Sequence, residues 1–536
     1  MGKVKTEPAE VWAEYEKGVS HKQSLGIYET VKKNEAFFVG NQWEGVNAPD
    51  LDKPVVNILK RVVSYFISTI VSDDVGAQLE LFTGESDQEV EQALGVISAQ
   101  FSQVIENTKM SAKNRTCVRN AAVDGDADLH IWYDPEVETG QMVTGAIRTE
   151  IIDNTNVIFA NPQVWEVQDQ PYLLLVQRKT VESAREEAIQ GGMSEEEAAQ
   201  IRQDDDPNQI LQESDREDGK VTVIVKYWME RGKDGRKTVW AEKVTQNAVV
   251  RKPRDMGYRL YPVAHMSWDK IKNSCHGQSA ITGLIPNQIF INKLFAMCME
   301  HVKKMAFPKI VYNAQLCPGW SNRVGEAIPV KGDPNLAVAN RVDGADMSSQ
   351  VMMLIEKIIN YTRDTMGASD SALGNVKPDN TSAIIATQKA SAMPLELQRM
   401  DFYQFVEDYI RIFLDMMRVH YGVRMVSITD DEGEKQVPFD FGVLDGLHLK
   451  LNVEIGASTY WSELMQVQTT DNLFAQKIID DPVLYLESIP DGYIKNKQKI
   501  IKALKDRQAQ EQQAALMQGA AVPASVPAAG GMANAL

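Results

Sequence analysis

Residues 277–366 read as a helix, a small β excursion and a second helix, and any fold for the chain has to accommodate that order. In the first arm, residues 277–304, Ile281, Leu284, Ile285, Ile289, Phe295, Met299 and Val302 recur at helical spacing on one broad face. Gln288 and Asn292 lie on the same face. A stripe that polar packs poorly against a dry core and suits neighbouring copies of the chain in a ring. Phe307-Pro308 stops the helix, since proline lacks the amide donor and fixes φ. Gly, Pro and short β runs at 309–313, 327–331 and 336–341 follow, and the second arm covers 347–366. A further helical pattern runs from 382 to 421, carried by Phe402, Phe405, Val406, Tyr409, Phe413, Met416 and His420. At 1.5 Å per residue it would span on the order of 60 Å. Pro394 inside it predicts a kink.

The flanks mix both periodicities. Val11, Tyr15, Leu25, Tyr28 and Val31 mark helices over 8–38, ending at the turn Gly40-Asn41-Gln42-Trp43. Helices are expected at 55–72, 90–110 and 114–123, and strands at 76–83, 129–133, 142–152 and 157–160. Strands at 221–231 and 238–250 flank a hairpin signal at 232–235, and 261–268 is extended. Strands return at 424–429 and 447–455, then helices at 462–479, 482–486 and 492–515, before an Ala, Gly and Pro-rich stretch at 518–536. No repeat of 20 to 50 residues is visible. The class is α+β.

The chain's 536 residues fit about three to five structural regions. No apolar run approaches the roughly 20 residues needed to cross a bilayer. The first residues carry no apolar leader core, and Met1-Gly2 fits only the loose myristoylation pattern, an acylation of eukaryotic cells. Four cysteines, Cys117, Cys275, Cys298 and Cys317, are too few for a disulfide scaffold and point to a reducing compartment. The net charge is −18, and residues 182–218 hold 13 acids against 3 arginines, a balance of −10. That stretch reads as a solvated helical excursion. Gripping duplex DNA by counterion release calls for a basic surface, and this composition does not supply one.

Catalytic motifs are missing. No G-x-x-x-x-G-K-[ST] phosphate loop occurs, which argues against an ATPase motor. Gly277-Gln278-Ser279-Ala280-Ile281 lacks the second Gly of a nucleophile elbow, so Ser279 reads as a helix start. Asp124, Asp126 and Asp128 imitate half of a calcium loop, but Leu129 stands where Gly is needed and Pro135 where the bidentate acid belongs. Cys298 and His301, with Cys275-His276 and Cys317 nearby, lack two close ligand pairs, and Cys298 sits in an apolar run that reads as buried. His21, His130, His265, His420 and His448 are scattered without a Cys or carboxylate at catalytic spacing. The residues point to a structural or assembly protein, not an enzyme, with no cofactor and no metal.

Three segments in order resemble one family, the portal proteins of tailed double-stranded DNA bacteriophages. The first is Phe37-Phe38-Val39-Gly40-Asn41-Gln42-Trp43 followed by Pro54-Val55-Val56-Asn57-Ile58-Leu59-Lys60. The second is Tyr261-Pro262-Val263 and Trp268, then His276-Gly277-Gln278-Ser279, Leu284-Ile285-Pro286-Asn287-Gln288 and Ile291-Asn292-Lys293. The third is Asn380-Thr381-Ser382-Ala383, opening the long helix.

The resemblance implies a ring, usually of twelve copies, at one capsid vertex of the virion, made in the bacterial host cytoplasm. DNA is packaged, retained and ejected through it. Carried over, residues 1–270 with strands at 422–460 form a wing, which includes the insertion at 182–218. Residues 277–305 and 347–368 form the stem, 306–346 the clip, 369–394 a loop near the channel, 382–421 the kinked helix, 461–515 a helical crown and 516–536 a tail. Lys293, Lys303, Lys304, Lys309, Lys377 and Lys389 are the candidate DNA-channel contacts; the alternative for each is a solvated face or an ion pair. Pro318, Trp320, Arg323 and Asp333 are candidates for docking the terminase motor and then the tail adaptor. The implied partners are further copies of the chain, double-stranded DNA, terminase, the major capsid and scaffold proteins and the tail adaptor, with no membrane. The other readings are a phage structural or scaffold protein that forms no ring, and a hydrolase or nuclease.

Overall fold

The computed structural model describes residues 4–71, 75–81, 88–140, 143–204, 219–232, 235–305, 309–317, scattered positions between 319 and 335, 339–342, 347–367, 393–430, 433–445, 449–455, 460–479 and most of 481–507. The chain divides into two compact units, residues 1–455 and 456–536.

The first unit opens with α1 (Pro8–Ser24) and α2 (Ile27–Val39). Proline starts α1 at a position where its missing N–H costs nothing. Next comes α3 (Ile58–Ile70), N-capped by Asn57, whose side chain accepts from the Lys60 amide at 3.0 Å. Its buried residues, Ile58, Leu59, Val62, Val63, Phe66 and Ile70, repeat at helical spacing and enter the main core. After β1 (Val75–Leu81), α4 (Gln88–Asn107) and α5 (Met110–Asp124) are separated at Lys109, which takes a left-handed conformation at φ 55°.

The strands β2 (Asp126–Asp134), β3 (Ala146–Ile152), β4 (Val157–Phe159), β5 (Tyr172–Thr180), β6 (Lys220–Arg231), β7 (Lys237–Val244), β8 (Val249–Asp255) and β9 (Val263–Ser267) form two antiparallel sheets. Their orders are β3-β2-β9 and β4-β5-β6-β7-β8. Alternation along the strands sends Leu174, Val176, Ile224 and Val244 to one face, where they meet Val11, Tyr15 and Val19 of α1. Leu173, Leu175, Val225, Tyr227 and Val239 point the other way into the core shared with the three-stranded sheet. Between β5 and β6 lie α6 (Val181–Gln190) and α7 (Glu195–Ala198), packed over Val221, Val223 and Val250. The acidic insertion is thus helical at 182–190 and 195–198, and residues 205–218 lie outside the described residues.

The remainder of this unit comprises α8 (Ile285–Met305), β10 (Lys309–Tyr312), β11 (Ala339–Val342), α9 (Ser349–Thr365), α10 (Glu396–His420), β12 (Val423–Asp430), β13 (Gly433–Asp440) and β14 (Leu449–Ile455). β1 pairs antiparallel with β14, joining segments distant in sequence. Phe402, Phe405, Val406, Tyr409, Phe413 and Met416 of α10 are all buried in the main core, on the helical spacing read from the sequence.

Pro394 lies in a 3-10 turn, Met393–Leu395, that leads into α10 at Glu396. The α-helix described is about 38 Å long, and the rest of the helical pattern expected from 382, at 382–392, lies outside the described residues. Proline suits this place because its missing N–H and its ring are tolerated ahead of a regular hydrogen-bond ladder but not within it. A second contact pins this turn: Gly367, at φ +71° after α9, lies so close that an added Cβ would meet Pro394 Cβ at 2.6 Å. Only glycine satisfies both conditions.

In the second unit, α11 (Tyr460–Ala475) is followed by α12 (Pro482–Glu487), capped by Asp481, whose carboxylate accepts from the Val483 amide at 2.9 Å. Phe474 and Tyr485 pack with ring centroids 4.4 Å apart and planes tilted by 32°, and the Tyr485 hydroxyl donates to Asp471 at 2.6 Å. No described helix is long and apolar enough to cross a membrane.

Candidate functional site

The loop leading into α8 is strapped to the junction of α5 and β2. Gly125 and Gly277 face each other there: a Cβ on Gly125 would meet the Gly277 carbonyl oxygen at 2.7 Å, and one on Gly277 would meet the Gly125 oxygen at 2.8 Å. The Gly277 amide donates to Asp126 Oδ1 at 2.7 Å, and the Ala280 amide and Ser279 hydroxyl both donate to the Ala122 carbonyl at 3.0 Å. Ser279 also accepts from the Ile281 amide at 3.1 Å. A 3-10 turn, Thr282–Leu284, then carries the chain into α8.

Beneath this strap is a buried carboxylate and histidine network that sequence spacing did not reveal. Asp126 Oδ2 lies 2.9 Å from His276 Nδ1, and Asp128 Oδ1 lies 2.8 Å from His265 Nδ1. His265 Nε2 lies 3.1 Å from both Ser267 Oγ and the Cys275 carbonyl. Burial alone would lower the His265 pKa, but Asp128, Asp126 and the Cys275 carbonyl lift it to about 9. Burial likewise opposes the charge of Asp126, yet His276, His265 and the Gly277 amide hold its carboxyl below the usual value. Asp128, His265 and Ser267 have the order of a hydrolase triad. The two aspartates, however, favour the protonated form of His265, and Ser267 donates to Asp126 at 2.9 Å, an arrangement that does not present a free base to Ser267. His265, which has no carboxylate at catalytic spacing in the sequence, thus has one in the fold, and Asp126 and Asp128 are engaged by histidines. Their partners lie 137 and 150 positions away, beyond any local spacing rule.

One turn further on, the polar stripe of α8 also changes meaning. Gln288 and Asn292 are 1% and 2% exposed. Gln288 accepts from the Ile58 amide at 3.1 Å and donates to the Val56 carbonyl at 2.7 Å, while Asn292 donates to Gln42 Oε1 at 2.6 Å. Gln42 in turn donates to the Phe37 carbonyl at 2.8 Å, Asn57 to the Phe38 carbonyl at 2.9 Å and the Trp43 indole to the Pro54 carbonyl at 2.8 Å. Gln288 and Asn292 are therefore engaged within the chain, where they add side-chain partners to the segment between α2 and α3.

Beyond Ala296, the last buried residue of α8, the helix leaves the core. Met297, Met299, Val302 and Met305 are exposed, Met297 by 64%. Of the 17 residues of α9 only Ile355 and Thr362 are buried. Met352, Met353, Leu354 and Tyr361 face solvent, the last by 65%. The two helices run side by side in opposite directions. The start of α8 meets the end of α9, where Asn287 donates to Thr362 at 3.2 Å, and the far ends continue into the paired strands β10 and β11. The result is a helical hairpin, tipped by a two-stranded ribbon, with apolar side chains exposed along both arms.

No known family model matches this chain, and no curated protein sequence matches it.

The hairpin carries several of the candidate residues read from the sequence. Lys293 is exposed on α8. Lys303 pairs with Asp52, and Lys304 with Glu300 one turn back at 2.7 Å. Lys309 opens β10. Arg323 is exposed, and Asp333 folds back to accept from the Asn335 amide at 2.9 Å. Lys377, Lys389, Pro318 and Trp320 lie outside the described residues. Cys298 is part-buried, not enclosed as its apolar surroundings implied, because that side of α8 has already left the core. Among the described residues no group of three or more His, Cys, Asp or Glu side chains converges to hold a metal ion.

Proposed function

We propose that this chain is the subunit of a ring-shaped DNA conduit of the phage portal kind. The observation that carries the reading is the hairpin of α8 and α9. Two helices that pack on each other and still expose large apolar side chains along both arms form an unfinished surface in a single copy. A head-to-tail ring needs two different complementary surfaces on each subunit, and the separate strips on α8 and α9 supply them. Covering one fully exposed Met or Leu is worth about 1.5–3 kcal/mol, so several together outweigh the cost of association.

In this reading the ring stands at a capsid vertex of a virion assembled in the bacterial cytoplasm, and double-stranded DNA passes through it during packaging and ejection. The hairpin lines the passage. Lys303 and Lys304 are neutralised by Asp52 and Glu300, leaving Lys293 as the charged contact on the described part of α8. Few strong phosphate contacts suit a sliding duplex. The ribbon of β10 and β11, with Arg323 and Asp333 beyond it, presents the end that docks the terminase motor and then the tail adaptor. Capsid and scaffold proteins surround the sheet region.

Negative-stain imaging of the purified protein, with its mass from light scattering, tests the reading. The expected particle is a ring with a central hole and a mass near twelve times 59.9 kDa. A small closed dimer would overturn it.

A further inference from the structure

The two sheets of the first unit diverge around a cleft of about 570 Å³ that the strands β2, β3, β5, β6, β7 and β8 line together. Its size falls within the range of about 300–1,000 Å³ typical of small-molecule sites. On the five-stranded side, Lys179, Lys243 and Arg251 converge on a single carboxylate, that of Glu187 from α6. The Lys179 contact is 2.7 Å and the Arg251 contact 3.6 Å, and Arg251 Nε is buried without a hydrogen-bond partner. Burial disfavours the charge on Glu187, but Lys243 and Lys179 bring its pKa down to about 2, so it stays ionised. Three cations on one anion leave an excess of two positive charges. Arg254 in the same wall adds a third. The other acids that line the cleft are Glu150 and Asp153 of the opposite sheet and Glu242 of β7, whose burial raises its pKa to about 8. Four cations thus gather along one wall of a concave space, three of them sharing the single carboxylate of Glu187, and a bound anion would give them further partners.

Aromatic side chains line part of the remaining wall, beside aliphatic ones. Trp132 and His130 stack with centroids 5.3 Å apart, and His130 Nε2 lies 3.0 Å from the Tyr227 hydroxyl, bridging the two sheets. His130 Nδ1 and Gln177 Oε1, both from lining residues, have no hydrogen-bond partner. An anion-binding end beside an aromatic wall with spare polar groups matches a ligand that joins a phosphate to a planar heterocycle.

We infer that this cleft is a binding site for a nucleoside phosphate, with the phosphate held by Lys179, Lys243, Arg251 and Arg254 and the base against the aromatic wall. It sits apart from the helical hairpin and does not depend on ring formation.

Calorimetric titration of the full-length protein with AMP, and separately with inorganic phosphate, tests the assignment. The expected result is saturable AMP binding with a dissociation constant below about 1 mM, at least about tenfold tighter than inorganic phosphate. Lys243→Gln with Arg251→Gln should weaken AMP at least about tenfold. Because that pair also contacts Glu187, Arg254→Gln on the exposed rim provides a variant whose folding is not at stake, and it should weaken AMP several-fold with an unchanged circular dichroism spectrum. Glu187→Gln, which frees the cations, should tighten binding. Absence of saturable binding, equal affinity for AMP and phosphate, or wild-type affinity in Arg254→Gln and the double variant would each overturn the assignment.

Discussion

In the sheet region Lys226, Asp126, Asp128 and His265 are buried with their charges met inside the chain, Lys226 by Glu14 and the aspartates by histidines. Along α8 and α9 the situation is reversed: Met297, Met353 and Tyr361 stand 64%, 55% and 65% exposed. Both arrangements are expensive for an isolated polymer in water, the first in desolvation and the second in apolar hydration. The sheet region meets its cost with hydrogen bonds and ion pairs made within the same subunit. The hairpin has no comparable partner among the described residues. The sheet region meets most of its buried charges within the chain, and under the proposed function the hairpin would acquire its partner on assembly.

The sharpest way to break that contrast is at the root where the two regions join. Gln288→Ala should destabilise the first unit by about 2 kcal/mol, since it removes one hydrogen-bond partner from each of the Ile58 amide and Val56 carbonyl, leaving them only each other, and opens a void. Urea unfolding would measure it, and a loss below 1 kcal/mol would mean that the clamp is not holding α8.

The buried network should show in the pH dependence. His265 is raised from its ordinary 6.5 to about 9, so its contribution is complete below 6.5 and is lost as pH rises through 9. Its size is on the order of 3 kcal/mol. Glu242 acts in the same direction up to about 8, because burial makes its ionisation costly in the fold. Lys22, lowered to about 8, works the other way only above that value. Stability should therefore fall between pH 6.5 and 8, and His265→Gln should flatten the profile. An equal slope in the variant would remove His265 from the account.

At the hairpin the effects on monomer stability should be small. Lys304→Ala removes an exposed pair with Glu300 one turn away and should change stability by less than about 0.5 kcal/mol. A larger loss in thermal unfolding would show that the arm is coupled to the sheet core.

Much of this architecture was legible because it rests on local periodicity. The helix α3, the buried residues of α10 and the hairpin of β6 and β7 followed from spacing alone. Pro394 interrupts the regular ladder as its chemistry dictates, in a 3-10 turn, while the first part of the expected long helix, 382–392, lies outside the described residues. The polar stripe was misread. Nothing around Gln288 and Asn292 indicates that their partners are Gln42, Val56 and Ile58, more than 200 positions earlier. The pairing of His265 and His276 with Asp128 and Asp126 was hidden in the same way, since two strands and a loop meet only in the fold. The exposed apolar residues of the hairpin were assigned to the right helices, but their exposure depends on where α8 leaves the core at Ala296, which periodicity does not mark.

The central claim is that the apolar arms of the hairpin are subunit interfaces. Light scattering of the wild type beside a Met297→Asp and Met353→Asp variant tests it most directly. The account predicts a large closed assembly for the wild type, and for the variant a 59.9 kDa monomer with unchanged unfolding of the sheet region. A variant that assembles as the wild type does, or one whose sheet region unfolds, would contradict it.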